Sequence, residues 1–489
     1  METELHKAIV IGAGPGGICA AAKLIEAGIG DLVVLEKSSG LGGTWNLNRY
    51  PGAECDIQSH LYCFSFEPNP SWSRPYSGQP EILAYLRHCA EKYGVTPLCR
   101  FNSAVSRAEW DEESNLWRVH CEDGRLFEAP VLIGAVGIFC ETNVPDIPGL
   151  AQFPGPAFHS ARWDENFEPA GQRVAVIGSA ASAVQLIPEL AKEAGRLDVY
   201  QRSPNWVLPK ADQPYSVETI AQLKADPAKL HAMRQEILDS VDAYRGSMVA
   251  GGPDQSQAAE QAAMQNIAVI EDPDLRTKMV PDYPIGCRRV LLSNVYYPTF
   301  NRDNVELVTD RIERIEGNAI VTRDGSRREV DAIVFATGFD TMRYLTTIDV
   351  AGRGGLRLDQ AWAGGPQAYR GVTVSGFPNL FMLYGPNTNV GSIIYMIEAQ
   401  VDYIVRLVRR MEDEGLAGIE VRAEAEDAYN RRVQAELENF EMWVTDCSNY
   451  YRHPVSNKVV TQWPLTMGEY SQGMAVEDSD AYRAWPAKK

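Results

Sequence analysis

Glycine, acid and arginine spacings carry the first chemistry in this sequence. Gly12, Gly14 and Gly17 form a G-x-G-x-x-G set directly after the apolar run Ala8-Ile9-Val10-Ile11 and before a helical stretch from Ile18 to Ala27, closed by Gly28. Strand, glycine turn and helix in that order let backbone amides approach a pyrophosphate, and the positive end of the helix dipole favours its charge. The next strand, Leu32 to Leu35, ends in Glu36, 24 positions after Gly12. A carboxylate there accepts hydrogen bonds from a ribose diol. The pattern returns after Arg173 to Ile177 as Gly178, Ala180 and Ala183, with alanine at the second and third glycine positions. This time the residue 24 positions on is Arg202. A carboxylate repels a ribose 2′-phosphate, whereas a guanidinium pairs with it bidentately. The offset therefore points to FAD or NAD at the first turn and NADPH at the second, the plain alternative for Arg202 being a solvated surface charge.

These turns need strands and helices to hold them. Two further apolar runs, Val131 to Gly137 and Ala332 to Gly338, read as strands returning to the two nucleotide domains, and the crossings fall near 138–165 and 338–380. The stretch 214–280 has helical composition with a glycine break at Gly251-Gly252. The chain returns to strand at Leu380 to Leu383, enters a helix from about Ile393 to Glu414, and ends in an amphipathic stretch (423–446) and an aromatic tail. The expected fold class is α/β, with two Rossmann-like dinucleotide-binding domains and a helical insertion. The first domain would comprise 1–145 and 379–489, the second 146–213 and 286–378, and the insertion 214–285.

Composition removes other classes. The 489 residues hold 65 acidic and 46 basic side chains, a net charge of −19 that repels phosphate backbones and anionic lipid. Nucleic acid is not an expected partner. No apolar run approaches the length of a membrane span, and the polar N-terminus is unlike an export signal. Seven scattered histidines show no metal-ligand spacing, so no metal is expected. Nine dispersed cysteines without a C-x-x-C pair read as reduced thiols of a cytoplasmic protein, and they disfavour a dithiol reductase. Oligomeric state does not follow from the sequence.

Three segments together resemble the type I Baeyer–Villiger monooxygenases, a family of class B flavoprotein monooxygenases. Phe153, Gly155, His159, Trp163 and Asp164 fit F-x-G-x-x-x-H-x-x-x-W-D at every fixed position. Gly43, Trp45, Tyr50, Pro51, Gly52 and Asp56 match G-x-W-x-x-x-x-Y-P-G-x-x-x-D. Arg288-Arg289, followed by Tyr296-Tyr297 and Phe300-Asn301-Arg302, is similar to the region of the family's catalytic arginine, with Arg288 where a lysine is usual. The resemblance runs from about residue 7 to about 465 and implies a fold holding FAD and NADPH.

It also implies the chemistry. Flavin reduced by NADPH reacts with O2 to give a peroxide at the flavin C4a carbon, whose anion attacks a ketone and inserts one oxygen atom to yield an ester or lactone. A permanent cation would stabilise both that anion and the adduct that follows. Arg289 is the expected cation, because arginine stays charged at any relevant pH, and Asp56 is its expected partner; an ordinary structural ion pair is the alternative. Arg288 would join Arg202 on the NADP 2′-phosphate. His159 would couple domain motion to catalysis, Trp163 and Asp164 would lock the linker around it, and Trp45 would pack near the flavin. Oxygenation of sulfide or amine by the same cofactors, and a non-enzymatic NADP sensor, are the competing functions.

Overall fold

The computed structural model describes residues 3–249, 253–440, 443 and 449–487. The glycine break at Gly251-Gly252 and Cys447 lie outside them.

Ala8–Ile11 is buried along its whole length and sits in a five-stranded parallel sheet. The order is Leu380–Met382, Val131–Gly134, Ala8–Ile11, Leu32–Leu35, Cys99–Arg100. Continuous apolar runs suit such strands because both faces of a parallel sheet are covered. The helix Pro15–Glu26 packs against Gln79–Lys92 and Ile393–Glu414. The last of these begins and ends where the sequence places it, and Gly415 closes it in the left-handed conformation with φ 65°.

A second parallel sheet repeats the plan in the order Val305–Val308, Arg196–Tyr200, Arg173–Ile177, Ala332–Phe335, Ala157–His159. It has its own apolar cores. In both sheets the glycine turn follows a central strand at its carboxyl end, next to the point where strand order reverses, the usual ligand crevice of open α/β sheets.

Two antiparallel meanders are additional to the expected elements. Val105–Asp111, Leu116–Cys121 and Leu126–Ala129 pair antiparallel, flanked by Thr3–Leu5 and Asp349–Ala351. Ile312–Glu316, Ala319–Thr322 and Arg327–Glu329 form the other.

Between the strands of the second sheet come the helices Val217–Ala225, Pro227–Val249, Pro253–Ile267 and Pro273–Lys278. Pro227–Val249 is tied to the first domain. Arg234 donates to the carbonyls of His60 and Cys63 and pairs with Glu398 at 3.2 Å, and Asp242 accepts from the backbone N–H groups of Met467 and Gly468. Among the described residues no helix is long and apolar enough to cross a membrane, and no group of three or more His, Cys, Asp or Glu is placed to hold a metal. Among the described residues seven cysteines are free, and Cys287 is disulfide-bonded, against the expectation of thiols throughout.

Candidate active site

The first glycine turn is a cradle closed by backbone. A Cβ on Gly17 would lie 1.8 Å from the carbonyl oxygen of Gly12, so only glycine lets the helix start this close to the strand. A Cβ on Gly43, which has φ +55°, would fall 2.8 Å from the Cα of Gly14, so the two loops touch through bare backbone. The helix Pro15–Glu26 has no side-chain cap and no acid in its first turn, leaving its N-terminal N–H groups for an anion. Glu36 is buried at the end of its strand, where Oε2 accepts from the N–H of Ala13 and Oε1 from that of Ser38, both at 2.8 Å. Each carboxylate oxygen keeps a lone pair for a hydroxyl. The cradle thus fits a pyrophosphate and a ribose together.

The second turn is built alike but less tightly. The helix Ala181–Glu193 again lacks a side-chain cap and a first-turn acid. Ala183 is fully buried, whereas Ala180 is exposed. Arg202 is exposed and carries no ion pair among the described residues. Arg288 lays its guanidinium 4.4 Å from the centre of the Tyr283 ring. Nothing acidic stands at the position that Glu36 fills in the first cradle.

Arg289 and Asp56, 233 positions apart, meet. Nε and Nη2 of Arg289 lie 2.7 and 2.5 Å from the same oxygen, Oδ2 of Asp56. The Asp56 charge raises the guanidinium pKa still further above its ordinary value, against the opposing effect of burial. Arg289 is half-buried, with 37% of its side chain accessible, so burial opposes its charge while part of the guanidinium stays open. Tyr384, Tyr450 and Tyr451 are near enough to feel its charge. Burial pushes the Tyr384 and Tyr451 hydroxyls up, and they stay neutral.

The loop that carries Asp56 belongs to both domains. Tyr50 and Ala53 are part of the second domain's core. Tyr50 Oη donates to Gln185 Oε1 at 2.8 Å, and Gln185 Nε2 donates to the Glu54 carbonyl at 2.9 Å. A Cβ on Gly52 would fall 2.5 Å from the Gln185 carbonyl oxygen. On the other side, the N–H of Gln79 donates to the Ala53 carbonyl and that of Cys55 to the Ser77 carbonyl. Arg49 in the same segment pairs with Glu165 at 2.6 Å, joining this motif to the crossing that holds His159.

His159 has both ring nitrogens engaged. Nε2–H donates to the Gly338 carbonyl at 3.1 Å, and Nδ1 accepts from the N–H of Ala161 at 3.1 Å. Burial lowers its pKa, so it is held neutral. Gly338 lies in the other crossing, and the histidine therefore pins the two crossings together. Trp163 packs edge-on against Phe158 and Phe167, while Asp164 accepts from the N–H of Asn166 at 2.9 Å. Trp45 is buried, and its indole N–H donates to Tyr62 Oη at 3.1 Å. Two participants escaped sequence reasoning: Gln185, and an ion pair of 2.6 Å between Lys210 and Glu54 beside Asp56. No spacing rule links a lysine and a glutamate so far apart.

Residues 9–261 match the model of the pyridine nucleotide-disulphide oxidoreductase family. A Baeyer–Villiger monooxygenase of Streptomyces coelicolor is 42% identical over 472 residues, covering 96% of this chain and 90% of that protein. Another, of Pseudomonas aeruginosa, is 39% identical over 461 residues, covering 94% and 87%. Among solved structures, cyclohexanone monooxygenase from Rhodococcus sp. Phi1 bound to NADP+ superposes with a TM-score of 0.90 at 32% identity, over 99% of this chain and 100% of that one. Oxidized steroid monooxygenase bound to NADP gives 0.89 at 30% identity, over 99% and 100%. With two nucleotide cradles, an arginine–aspartate pair and relatives of this likeness over nearly its whole length, the chain belongs to the Baeyer–Villiger monooxygenases.

Proposed function

We propose that this enzyme inserts one atom of O2 beside the carbonyl of a small-molecule ketone to give an ester or lactone, using FAD held in the first cradle and NADPH in the second. Gly12, Gly14, Gly17 and Glu36 hold the pyrophosphate and ribose of FAD, and Trp45 packs near its ring system. Gly178, Ala180 and Ala183 receive the NADPH pyrophosphate, with Arg202 and Arg288 on its 2′-phosphate. The strands of the two sheets support the division into 1–145 with 379–489 and 146–213 with 286–378, the insertion 214–285 lying between. Bound FAD supplies the redox centre that takes a hydride from NADPH and activates O2.

The chain's own residues supply charge, orientation and closure. The observation that carries the reading is the Arg289 guanidinium, half-buried, partly accessible and held through one oxygen of Asp56. A fixed cation in a site of low dielectric stabilises the negative charge that develops on a ketone oxygen under attack. It has no proton to give at working pH, so it favours an anionic oxygen nucleophile over a protonated electrophile. Tyr384 and Tyr451, both held neutral by burial, stand near it. His159 has no free nitrogen for proton transfer and acts by holding the crossings.

The test is turnover of the FAD-loaded enzyme with NADPH and 18O2, offering a ketone, a thioether and an amine. One labelled oxygen in an ester or lactone is the expected result. Sulfoxide or N-oxide alone, or protein that takes up no FAD, overturns the reading.

A further inference from the structure

Two ion pairs, not one, join the same two pieces of chain. The first piece is the segment Glu54-Cys55-Asp56. The second is the parallel ribbon in which Val207 and Leu208 pair with Leu291 and Leu292. Arg289 enters the ribbon two residues before Leu291, and Lys210 leaves it two residues after Leu208. The Lys210 backbone is locked to the other strand, since its N–H donates to Asn294 Oδ1 at 2.8 Å and its carbonyl accepts from Asn294 Nδ2 at 2.6 Å. One end of the ribbon therefore reaches Asp56 through Arg289, and the other reaches Glu54 through Lys210 at 2.6 Å.

The two pairs differ in surroundings. The Lys210 side chain is only 4% accessible, lies 4.7 Å from the centre of the Tyr76 ring and has Asp212 at 3.7 Å as a second carboxylate. Burial pushes the Glu54 carboxyl up and Lys210 holds it down. A buried ammonium this well surrounded cannot leave its partner without stranding a charge. Arg289, by contrast, must turn part of its guanidinium toward a reacting anion. Hydrogen bonds from Gln185 and to Ser77 hold the segment to its neighbours, but only the two ion pairs tie it to the ribbon among the described contacts. With Glu54–Lys210 beside Asp56–Arg289, the segment stays in register while Arg289 works.

Resting on the function proposed above, we propose that Lys210 is a positioning residue for the oxygenation step. Its pair with Glu54 clamps the 54–56 segment to the ribbon, so that Asp56 keeps Arg289 aimed at the developing charge. Lys210 touches neither Arg289 nor Asp56 in any described contact and acts through Glu54.

The experiment compares the FAD-loaded Lys210→Met, Lys210→Arg and Glu54→Gln variants with the unmutated enzyme, using a ketone that the latter converts. It reads ester formed and hydrogen peroxide released per NADPH, FAD content, and the anaerobic rate of flavin reduction by NADPH. Displacement of a catalytic group by about an ångström costs up to about a hundredfold in rate, so Lys210→Met should lose about tenfold or more in ester per NADPH, with peroxide replacing it. FAD content and flavin reduction should hold, and Lys210→Arg should recover most of the coupling. Should Lys210→Met fail to fold, the isosteric Glu54→Gln carries the same expectation. Unchanged coupling in Lys210→Met or Glu54→Gln overturns the inference, as does a loss that falls equally on FAD content and flavin reduction. If the unmutated enzyme makes no ester from any ketone, the proposed function falls and this inference with it; ester from the unmutated enzyme with full coupling in the variants removes this inference alone.

Discussion

The two glycine turns occupy the same place in their sheets, and they differ in how closely helix and strand approach. At Gly17 a single added carbon would sit 1.8 Å from a carbonyl oxygen; at the matching position of the second turn, Ala183 carries that carbon and buries it completely. The first cradle adds a buried carboxylate already gripped by two backbone N–H groups, whereas the second offers an exposed arginine with no ion pair among the described residues. Tight backbone contact with fixed acceptors suits a cofactor that stays. A roomier turn with an exposed cation suits a coenzyme that arrives and departs with each turnover, because most of its affinity then comes from a solvent-exchangeable charge contact.

The sharpest way to break this contrast is to exchange the residues. Gly17→Ala should give folded second-domain structure but colourless protein, measured as FAD absorbance per chain, because the clash is with main chain that has nowhere to go. Ala183→Gly should leave NADPH turnover nearly unchanged. Normal flavin content in Gly17→Ala would mean the two turns are not differently built after all.

The next largest effect belongs to the Arg289–Asp56 pair. Arg289→Ala should cut ester formation by about 10²–10³-fold, the usual cost of removing one preorganised charge-stabilising group. NADPH oxidation should continue, with hydrogen peroxide as its product, since both cradles are untouched. Loss of flavin reduction instead would place Arg289 in hydride delivery.

Arg202→Ala tests the second cradle alone. A charged hydrogen-bonded contact contributes about 1.5–3 kcal/mol, so the kcat/KM preference for NADPH over NADH should fall by roughly tenfold to a hundredfold. Equal use of the two coenzymes by the unmutated enzyme would sink the assignment.

The smallest effect contrasts two histidines. His159, at the crossings, has both nitrogens bonded, whereas His60 in the first domain is buried with neither nitrogen hydrogen-bonded in any described contact. Burial, aided by the Arg234 charge, lowers the His60 pKa from 6.5 to about 4. An unfolded chain therefore takes up the proton first as pH falls. Stability is full above pH 6.5 and declines toward pH 4, by at most about 2 kcal/mol between pH 7 and pH 5. Urea unfolding at those two pH values should show His60→Phe losing less than the unmutated protein. Equal losses would mean that His60 does not carry the acid sensitivity.

What the sequence disclosed follows from the range of each signal. The glycine turns, Glu36 and the helix Ile393–Glu414 are local, set by period and spacing within about twenty residues, and they were readable. The meeting of Arg289 with Asp56 is not local; it was legible only because the segments around them resemble a family. The Lys210–Glu54 pair had neither kind of signal. The meander at 105–129 did carry one: Ala108 and Trp110, then Trp117, Val119 and Cys121, alternate inward at a period of two.

The loop from Tyr50 to Asp56 has a consequence for anyone building hybrids from relatives of this protein. It is encoded among the residues of the first domain, yet Tyr50 and Ala53 are structural parts of the second, and Gln185 grips the loop from the second domain's helix. A recombination junction placed by sheet membership would split that packing and pair one parent's loop with the other parent's helix. Junctions that keep residues 50–56 with the donor of residues 173–193 preserve the interlock, so the heritable unit here is a patchwork and not a contiguous block.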